Sequence, residues 1–88
     1  MRCRLSFIGR VQGVGFRATA RSVAAGFRVT GWVRNEPDGS VLLEIQGEPA
    51  EIEACLARLG EVMRKNIVSS RLDEVPDVAG EAGFSVQR

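Results

Sequence analysis

The stretch GRVQGVGFR, residues 9–17, combines the two residue types best suited to hold a small anion. Gly9, Gly13 and Gly15 fall within seven positions, and Arg17 follows the last of them by two. Glycine loses more conformational freedom on folding than other residues, so three together indicate a backbone that turns tightly or approaches another group closely. A guanidinium group can bind two oxygens of a phosphate or carboxylate at once. This stretch therefore predicts an anion site.

The elements on either side of the stretch are a strand and a helix. Apolar and polar residues alternate before Gly9, whereas an apolar stripe of helical period follows: Phe16, Ala20, Val23, Ala24 and Phe27. The amides at the start of a helix point outwards and carry partial positive charge. Arg17, in the first turn, is expected to fold over the same point. The predicted cradle consists of the backbone amides of Val11, Gln12, Gly13, Val14, Gly15 and Phe16.

Three other interpretations of the glycines were weighed. A dinucleotide fingerprint requires a third glycine within the helix, but Ala18 stands there. It also requires an acidic residue at the end of the next strand, which this chain lacks. A Walker-type loop requires Gly-Lys-Ser/Thr, which is absent. The remaining alternative is an ordinary tight turn with Arg17 in solvent. Spacing alone leaves that alternative open.

The rest of the chain continues as a hairpin, a helix and two further strands. Residues 28–35 and 41–45 have strand patterns and are joined by Pro37-Asp38-Gly39, a typical turn. Pro49 opens a second helix, whose expected buried stripe is Ile52, Leu56, Leu59 and Met63. A weaker strand over 67–75, a polar loop over 77–83 and a short strand over 84–86 follow. This order predicts one α+β domain over residues 1–88, a ferredoxin-like split βαββαβ sandwich with two helices on one face of a mostly antiparallel sheet and a short extra C-terminal strand.

Composition excludes several classes of protein. The 88 residues carry a net charge of +1, which argues against a broad nucleic-acid or membrane surface. Four of the five aromatic residues suit the core, whereas an RNA-binding sheet of this fold would expose aromatic residues on a basic face. Cys3 and Cys55 match neither a metal spacing nor a redox pair, so they are expected to be buried free thiols. With no leader or membrane-length apolar run, we expect a soluble, cytoplasmic protein. No exposed apolar segment demands a dimer, so we expect a monomer.

Together with GWVRNEPDGSV (Gly31 to Val41), the stretch GRVQGVGFR resembles the acylphosphatase family. The resemblance extends over nearly the whole chain, including residues 70–73 and 84–86. It implies hydrolysis of an acyl phosphate, a carboxyl-phosphate mixed anhydride, to a carboxylate and inorganic phosphate, without a metal or other cofactor. Arg17 occupies the position of the arginine that binds the phosphoryl group, and Asn35 occupies that of the asparagine that holds the attacking water.

The residues make this chemistry plausible without a protein base. Phosphoryl transfer needs positioning and charge stabilisation more than covalent help from the protein. The chain has no histidine, and the amide of Asn35 cannot take a proton at neutral pH. The expected proton acceptor is therefore the phosphate of the substrate.

Neighbouring residues have expected structural roles. Gln12 is expected to shape the loop rather than bind substrate, and Asp38 to form the turn. Trp32 is expected to pack, and the hydroxyl of Thr19 is a candidate support for the loop. Arg10 and Arg34 are expected to be surface charges that flank the site.

Two departures from the family pattern affect the surroundings of the site. Arg28 stands where relatives carry a helix-ending glycine, so with Gly26 two residues earlier the first helix is expected to end sooner. Glu36 replaces an uncharged residue beside Asn35, where it either tightens the turn or repels the substrate.

The rival function is an anion-binding module with little hydrolysis. Domains of this type also occur within larger carbamoyl-transfer proteins, but no additional domain is visible in these 88 residues. Anion binding alone does not require Asn35, so its presence favours the enzyme. The expected partners are an acyl phosphate substrate and the inorganic phosphate product.

Overall fold

The computed structural model describes residues 1–88 as a five-stranded sheet with two helices. The elements in chain order are β1 (Arg2–Gly9), α1 (Phe16–Ala24), β2 (Val29–Asn35), β3 (Val41–Gly47), α2 (Pro49–Val62), β4 (Ile67–Val75) and β5 (Phe84–Val86). The predicted order and the ferredoxin-like α+β class are confirmed. Neither helix is long and apolar enough to cross a bilayer.

The strands lie in the order β4-β1-β3-β2-β5. Neighbouring strands are antiparallel except for β2 and β5, which run parallel. Leu43 of β3 lies opposite Leu5 of β1 and Val33 of β2, so the central strands align their apolar residues on one face. The strand predicted to be weak, β4, pairs with β1 from Ile67 to Val75, with an irregularity at Ile8 and Gly9.

Both helices pack on the face of the sheet that carries Cys3, Leu5 and Phe7. In α1 the predicted residues Phe16, Ala20 and Ala24 are buried, while Val23 and Phe27 pack at the edge of the core. In α2 the buried residues include Ile52, Cys55, Leu59 and Met63, whereas the predicted Leu56 is only partly buried. The buried stripe of α2 therefore runs through Cys55 more than through Leu56.

The end of α1 comes early, as the position of Gly26 predicts. The helix ends at Ala24, and two short turns follow, in which the amides of Gly26 and Phe27 donate to the carbonyls of Val23 and Ala24 at 3.0 Å. Neither Gly26 nor Arg28 has a positive φ. The chain thus enters β2 without a left-handed helix cap, and Arg28 carries no backbone strain.

The opposite face of the sheet holds an ion network that the sequence analysis did not predict. Arg2 is 1% exposed, and its guanidinium donates to Glu44 at 2.6 Å and to both carboxylate oxygens of Glu81 at 2.8 and 3.1 Å. The Nε of Arg4 donates to the second oxygen of Glu44 at 2.7 Å. The network therefore binds the loop before β5 across the sheet, which brings β5 to the edge of β2.

Candidate active site

The loop between β1 and α1 uses two of its glycines for backbone shape and the third for close packing. Gly13 and Gly15 have φ values of 73° and 77°, in the left-handed region that side chains disfavour. Gly15 is also the N-cap of α1. Gly9, with a φ of 141°, belongs to the sheet, where it pairs with Ile67 of β4. A Cβ atom there would lie 2.2 Å from the carbonyl oxygen of Asn66. Only Gly13 and Gly15 therefore shape the predicted cradle.

The backbone amides of residues 11–18 have no acceptor within the protein. The first amide of this region to be bonded is that of Thr19, which donates to the carbonyl of Gly15 at 2.9 Å. Consecutive open N–H groups at a helix start form a favourable anion site, since the helix adds partial positive charge there. The hydroxyl of Thr19, the expected support for the loop, makes no hydrogen bond to it, and this amide bond is the first of the helix.

Gln12 joins the loop to the β2–β3 hairpin. Its side-chain Nε2 donates to the carbonyl oxygens of Glu36 at 2.7 Å and Ser40 at 2.9 Å. The hairpin is itself fixed by Asp38, whose carboxylate accepts from the amide and hydroxyl of Ser40 at 2.9 and 2.6 Å. Both side chains thus have the structural roles expected of them.

Asn35 lies at the end of β2, opposite Val41 of β3. Because side chains alternate along a strand, Asn35 shares the helix-covered face with Val33 rather than the face of Arg34. Asn35 lines the same pocket as the glycine loop and Arg17. The fold therefore brings together Arg17 and Asn35, which lie 18 positions apart in the sequence.

The pocket has a volume of about 620 Å³. Five predicted site residues of the loop and helix start line it, together with Asn35: Val11, Gly13, Gly15, Phe16 and Arg17. The side chain of Gln12 is turned to the hairpin, and Val14 is an exposed residue outside the lining. Phe16 anchors the loop in the core, with its ring centroid 5.1 Å from that of Phe7.

Arg17 is held by a contact that sequence reasoning missed. Its Nη1 donates to the carbonyl oxygen of Gln87 at 3.2 Å, and the amide of Gln87 donates to the carbonyl of Val33 at 2.8 Å. Arg17 makes no ion pair with a carboxylate. Alternation in residues 84–86 predicted a strand but not its neighbour, and it is the pairing of β5 with β2 that brings Gln87 to the arginine.

Beyond the glycine loop the pocket continues along α1. We call this part the α1 groove; its lining residues are Ala18, Arg21, Ser22, Ala25, Val86 and Arg88. Arg21 and Ser22 lie outside the apolar stripe of α1, and neither is among the predicted site residues. Only the packing of β5 beside α1 turns this helix face into one wall of a groove.

Glu36 is directed away from the pocket lining. Its carboxylate lies 3.3 Å from the Nη2 of Arg34, and the Arg34 guanidinium stacks over Trp32 at 4.9 Å from the ring centroid. The negative charge beside Asn35 is thus balanced by a neighbouring cation. Trp32 packs against this arginine on the face of the sheet opposite the pocket.

Comparisons with known proteins agree with this fold and point to one family. The acylphosphatase family model matches residues 3–86. An acylphosphatase of Nitratidesulfovibrio vulgaris is 49% identical over 70 residues, which cover 80% of this chain. The match spans 66% of that relative's length, just under two thirds.

Two further comparisons extend over more of both chains. An acylphosphatase of Salinibacter ruber is 44% identical over 81 residues, covering 91% of this chain and 85% of that one. The crystal structure of acylphosphatase from Bacillus subtilis is similar with a TM-score of 0.87 at 25% identity, covering 99% of this chain and 98% of the other. Because the family match extends over nearly the whole sequence, this chain belongs to the acylphosphatase family.

Proposed function

We propose that this protein is an enzyme that hydrolyses acyl phosphates to a carboxylate and inorganic phosphate. The observation that carries the proposal is the convergence, in one pocket, of the open amides at the start of α1, Arg17 and Asn35. Family membership supports the same activity. The substrate is a small molecule, since the site belongs to a pocket rather than to an extended charged surface.

The phosphoryl group would be bound by the loop and by one arginine. The amides of Val11, Gln12, Gly13, Val14, Gly15 and Phe16 are the donors we assign to its oxygens, with the Arg17 guanidinium as the cation. The bond from Arg17 to Gln87 engages one N–H of its five, which leaves the others for phosphate. These groups supply positive charge without a metal ion, so we expect metal-independent turnover.

Asn35 is assigned to the water. Its amide oxygen can accept a hydrogen bond from the nucleophile while its NH₂ group donates to a phosphoryl oxygen. The water oxygen then forms a bond to phosphorus, the bond from phosphorus to the acyl oxygen breaks, and the carboxylate leaves with the electron pair. The proton of the water passes to a phosphoryl oxygen. Because a carboxylate is a good leaving group, a phosphoryl oxygen is a strong enough base to accept this proton.

The test is hydrolysis of benzoyl phosphate by the purified chain in the presence of a chelator. Arg17→Ala should lower kcat/KM by about 10²–10³-fold or more, as for loss of a charge-stabilising donor. Asn35→Ala should lower kcat strongly while the Kd of inorganic phosphate changes much less, because Arg17 and the loop amides make most of the assigned contacts with the phosphoryl group. Arg64→Ala and Asn66→Ala are matched controls outside the pocket and should retain full turnover.

The rival function, an anion-binding module, predicts a different set of results. The parent chain would bind inorganic phosphate, Arg17→Ala would abolish that binding, and benzoyl phosphate would not be hydrolysed. Normal turnover in Asn35→Ala would instead disprove the role assigned to the asparagine, and the proposed hydrolytic activity would still stand.

We further propose a monomer in a reducing compartment such as the cytoplasm. The exposed strand β4 carries Arg71, Asp73 and Glu74, and charged edge strands resist pairing with another chain. Cys3 and Cys55 are unpaired and buried, as is usual where thiols stay reduced. Light scattering at increasing concentration tests the monomer.

A further inference from the structure

We propose that the α1 groove selects acyl phosphates whose acyl group carries an anionic group of its own, such as a carboxylate. This inference rests on the proposed function and names its substrate class. The phosphoryl group would lie at the helix start, and the second anion would lie along the helix against Arg21, with Arg88 as a further cation on the groove wall.

The first support is the shape of the groove. Its helical wall is a row of small residues, Ala18, Ser22 and Ala25, spaced so that they share one side of α1. From the helix start to Ala25 the rise is roughly 13 Å, whereas a phosphoryl group needs only the first turn. The remaining length fits the acyl part of a substrate.

The second support is the position of Arg21. It stands four residues after Arg17, hence about 6 Å further along the helix axis and on the same side. Long side chains on a helix lean towards its N-terminus, which directs Arg21 back towards the cradle. An acyl group leaving the cradle along the groove would therefore meet this guanidinium.

The third support is the balance of charge. Three arginines line the pocket, and no carboxylate side chain does. Arg21 and Arg88 pair with no carboxylate elsewhere, unlike Arg2, Arg4, Arg34, Arg58 and Arg71. Arg17 and the loop amides already meet the charge of the phosphoryl group. The two additional cations are thus free to bind a second anion.

An acyl phosphate with a second anionic group should therefore have a lower KM than an uncharged one of the same size, with little change in kcat. The second anion lies away from the reacting phosphorus and is bound equally in the ground and transition states. Because Arg21 is exposed, the attraction should also weaken as salt is raised.

The experiment compares three rigid substrates: benzoyl phosphate, 4-carboxybenzoyl phosphate and 4-carbamoylbenzoyl phosphate. The last two have the same size and differ in one charge. We expect the parent chain to show a KM about three- to tenfold lower for the carboxyl than for the carbamoyl compound at low salt. The ratio of the carbamoyl KM to the carboxyl KM should fall to about one in Arg21→Gln. In Arg88→Gln this ratio should fall part of the way towards one. Arg28→Gln, which removes an exposed charge outside the pocket, should keep the parent ratio and turnover.

Each failure is distinguishable. If benzoyl phosphate is hydrolysed and the two KM values are equal, the selectivity is wrong while the proposed function stands. A parent ratio that persists in both Arg21→Gln and Arg88→Gln would overturn the assignment to these arginines. If no substrate is hydrolysed, the proposed function fails, and calorimetry with the matching non-hydrolysable ketophosphonates decides the groove separately: tighter binding of the carboxyl analogue, lost in Arg21→Gln, supports it, and equal binding overturns it.

Discussion

The side-chain amide of Gln12 lies 2.9 Å from the carbonyl oxygen of Ser40 and donates a hydrogen bond to it. This bond, together with the one to Glu36, spans from the anion loop to the hairpin that carries Asn35. The phosphate-binding amides and the assigned water-positioning residue are therefore joined by a side chain that need not touch the substrate. We therefore expect Gln12 to fix the distance between them.

Replacing Gln12 by Ala should lower both turnover and stability. The carbonyls of Glu36 and Ser40 would each lose one of their two donors, which costs about 1–3 kcal/mol in total in the free energy of unfolding. The loop and Asn35 would lose their fixed separation, and kcat/KM for benzoyl phosphate should fall about tenfold or more, since small misplacements are costly. Steady-state kinetics and urea unfolding measure the two effects.

Gln46→Ala is the matched control for this prediction. Gln46 also makes two bonds to backbone, at 2.9 and 2.8 Å with Val78, but on the opposite face of the sheet. Its replacement should reduce stability and leave kcat/KM unchanged. If Gln12→Ala lowers stability but leaves kcat/KM unchanged, as expected for Gln46→Ala, the hydrogen bonds of Gln12 do not position the site.

Gly15→Ala should be destabilising although there is room for the new methyl group. No atom lies within 4 Å of the position of its Cβ, so the cost is the left-handed φ of 77°, about 1–2 kcal/mol. A loop that relaxes to avoid this strain should bind inorganic phosphate more weakly, as calorimetry would measure. Gly15→Asn should recover part of the loss, because asparagine tolerates this conformation.

Gly60→Ala, the same chemical change in a helix, should raise the free energy of unfolding rather than lower it. Gly60 lies in α2 with no positive φ, and its added Cβ also meets nothing within 4 Å. Alanine favours the helix over glycine by about 0.5–1 kcal/mol, so this variant should be more stable. Equal effects in Gly15→Ala and Gly60→Ala would contradict the role assigned to the left-handed backbone.

The network around Arg2 should make stability depend on pH in the acid range. Hydrogen bonds from Arg2 hold the pKa of Glu81 below its ordinary 4.5. Burial acts to raise the pKa of Glu44, but hydrogen bonds from Arg2 and Arg4 together outweigh it, and that pKa is also lowered. The unfolded chain thus binds protons more readily than the folded one. The stabilisation should be complete above about pH 4.5 and be lost as pH falls through the lower, folded values.

Glu81→Gln tests this prediction. It should lower the free energy of unfolding at pH 7 by about 1–3 kcal/mol and flatten the decline below about pH 4.5, as followed by urea unfolding across pH. Glu53→Gln, which removes an exposed carboxylate that has no ion pair, should keep both the parent stability at pH 7 and the parent decline. An unchanged decline in Glu81→Gln would refute the linkage.

Both thiols should react slowly in the folded protein. Burial is the main cause that raises the pKa of Cys55 to about 11, and burial likewise raises the pKa of Cys3. Because the thiolate is the reactive form, a disulfide reagent at pH 8 should label Cys55 about 100-fold more slowly in the native than in the unfolded chain, and Cys3 should also be labelled more slowly. The single variants Cys3→Ala and Cys55→Ala report each thiol separately. Rapid labelling of either thiol in the native chain would contradict its burial.

The sequence by itself determined the order of the elements and the two motifs of the site. Apolar periods of two and of about 3.6 arise from residues within one or two turns of each other, so they can be read from local spacing. The same holds for the turn at Asp38 and for the early end of α1 before Gly26. The family resemblance supplied Arg17 and Asn35 as a pair.

Only the tertiary structure decided how distant residues meet. Alternation places Arg2 on the polar side of β1, yet it is buried, because Glu81 reaches it from a loop 79 positions away. The partner of Arg17 depends on which strand β5 joins. Local spacing predicts a solvated helix position for Arg21, whereas the packing of β5 beside α1 makes it line a groove. Local patterns specify which face of an element is apolar, whereas the neighbours of its polar face depend on the packing of all the elements together, which no local spacing records.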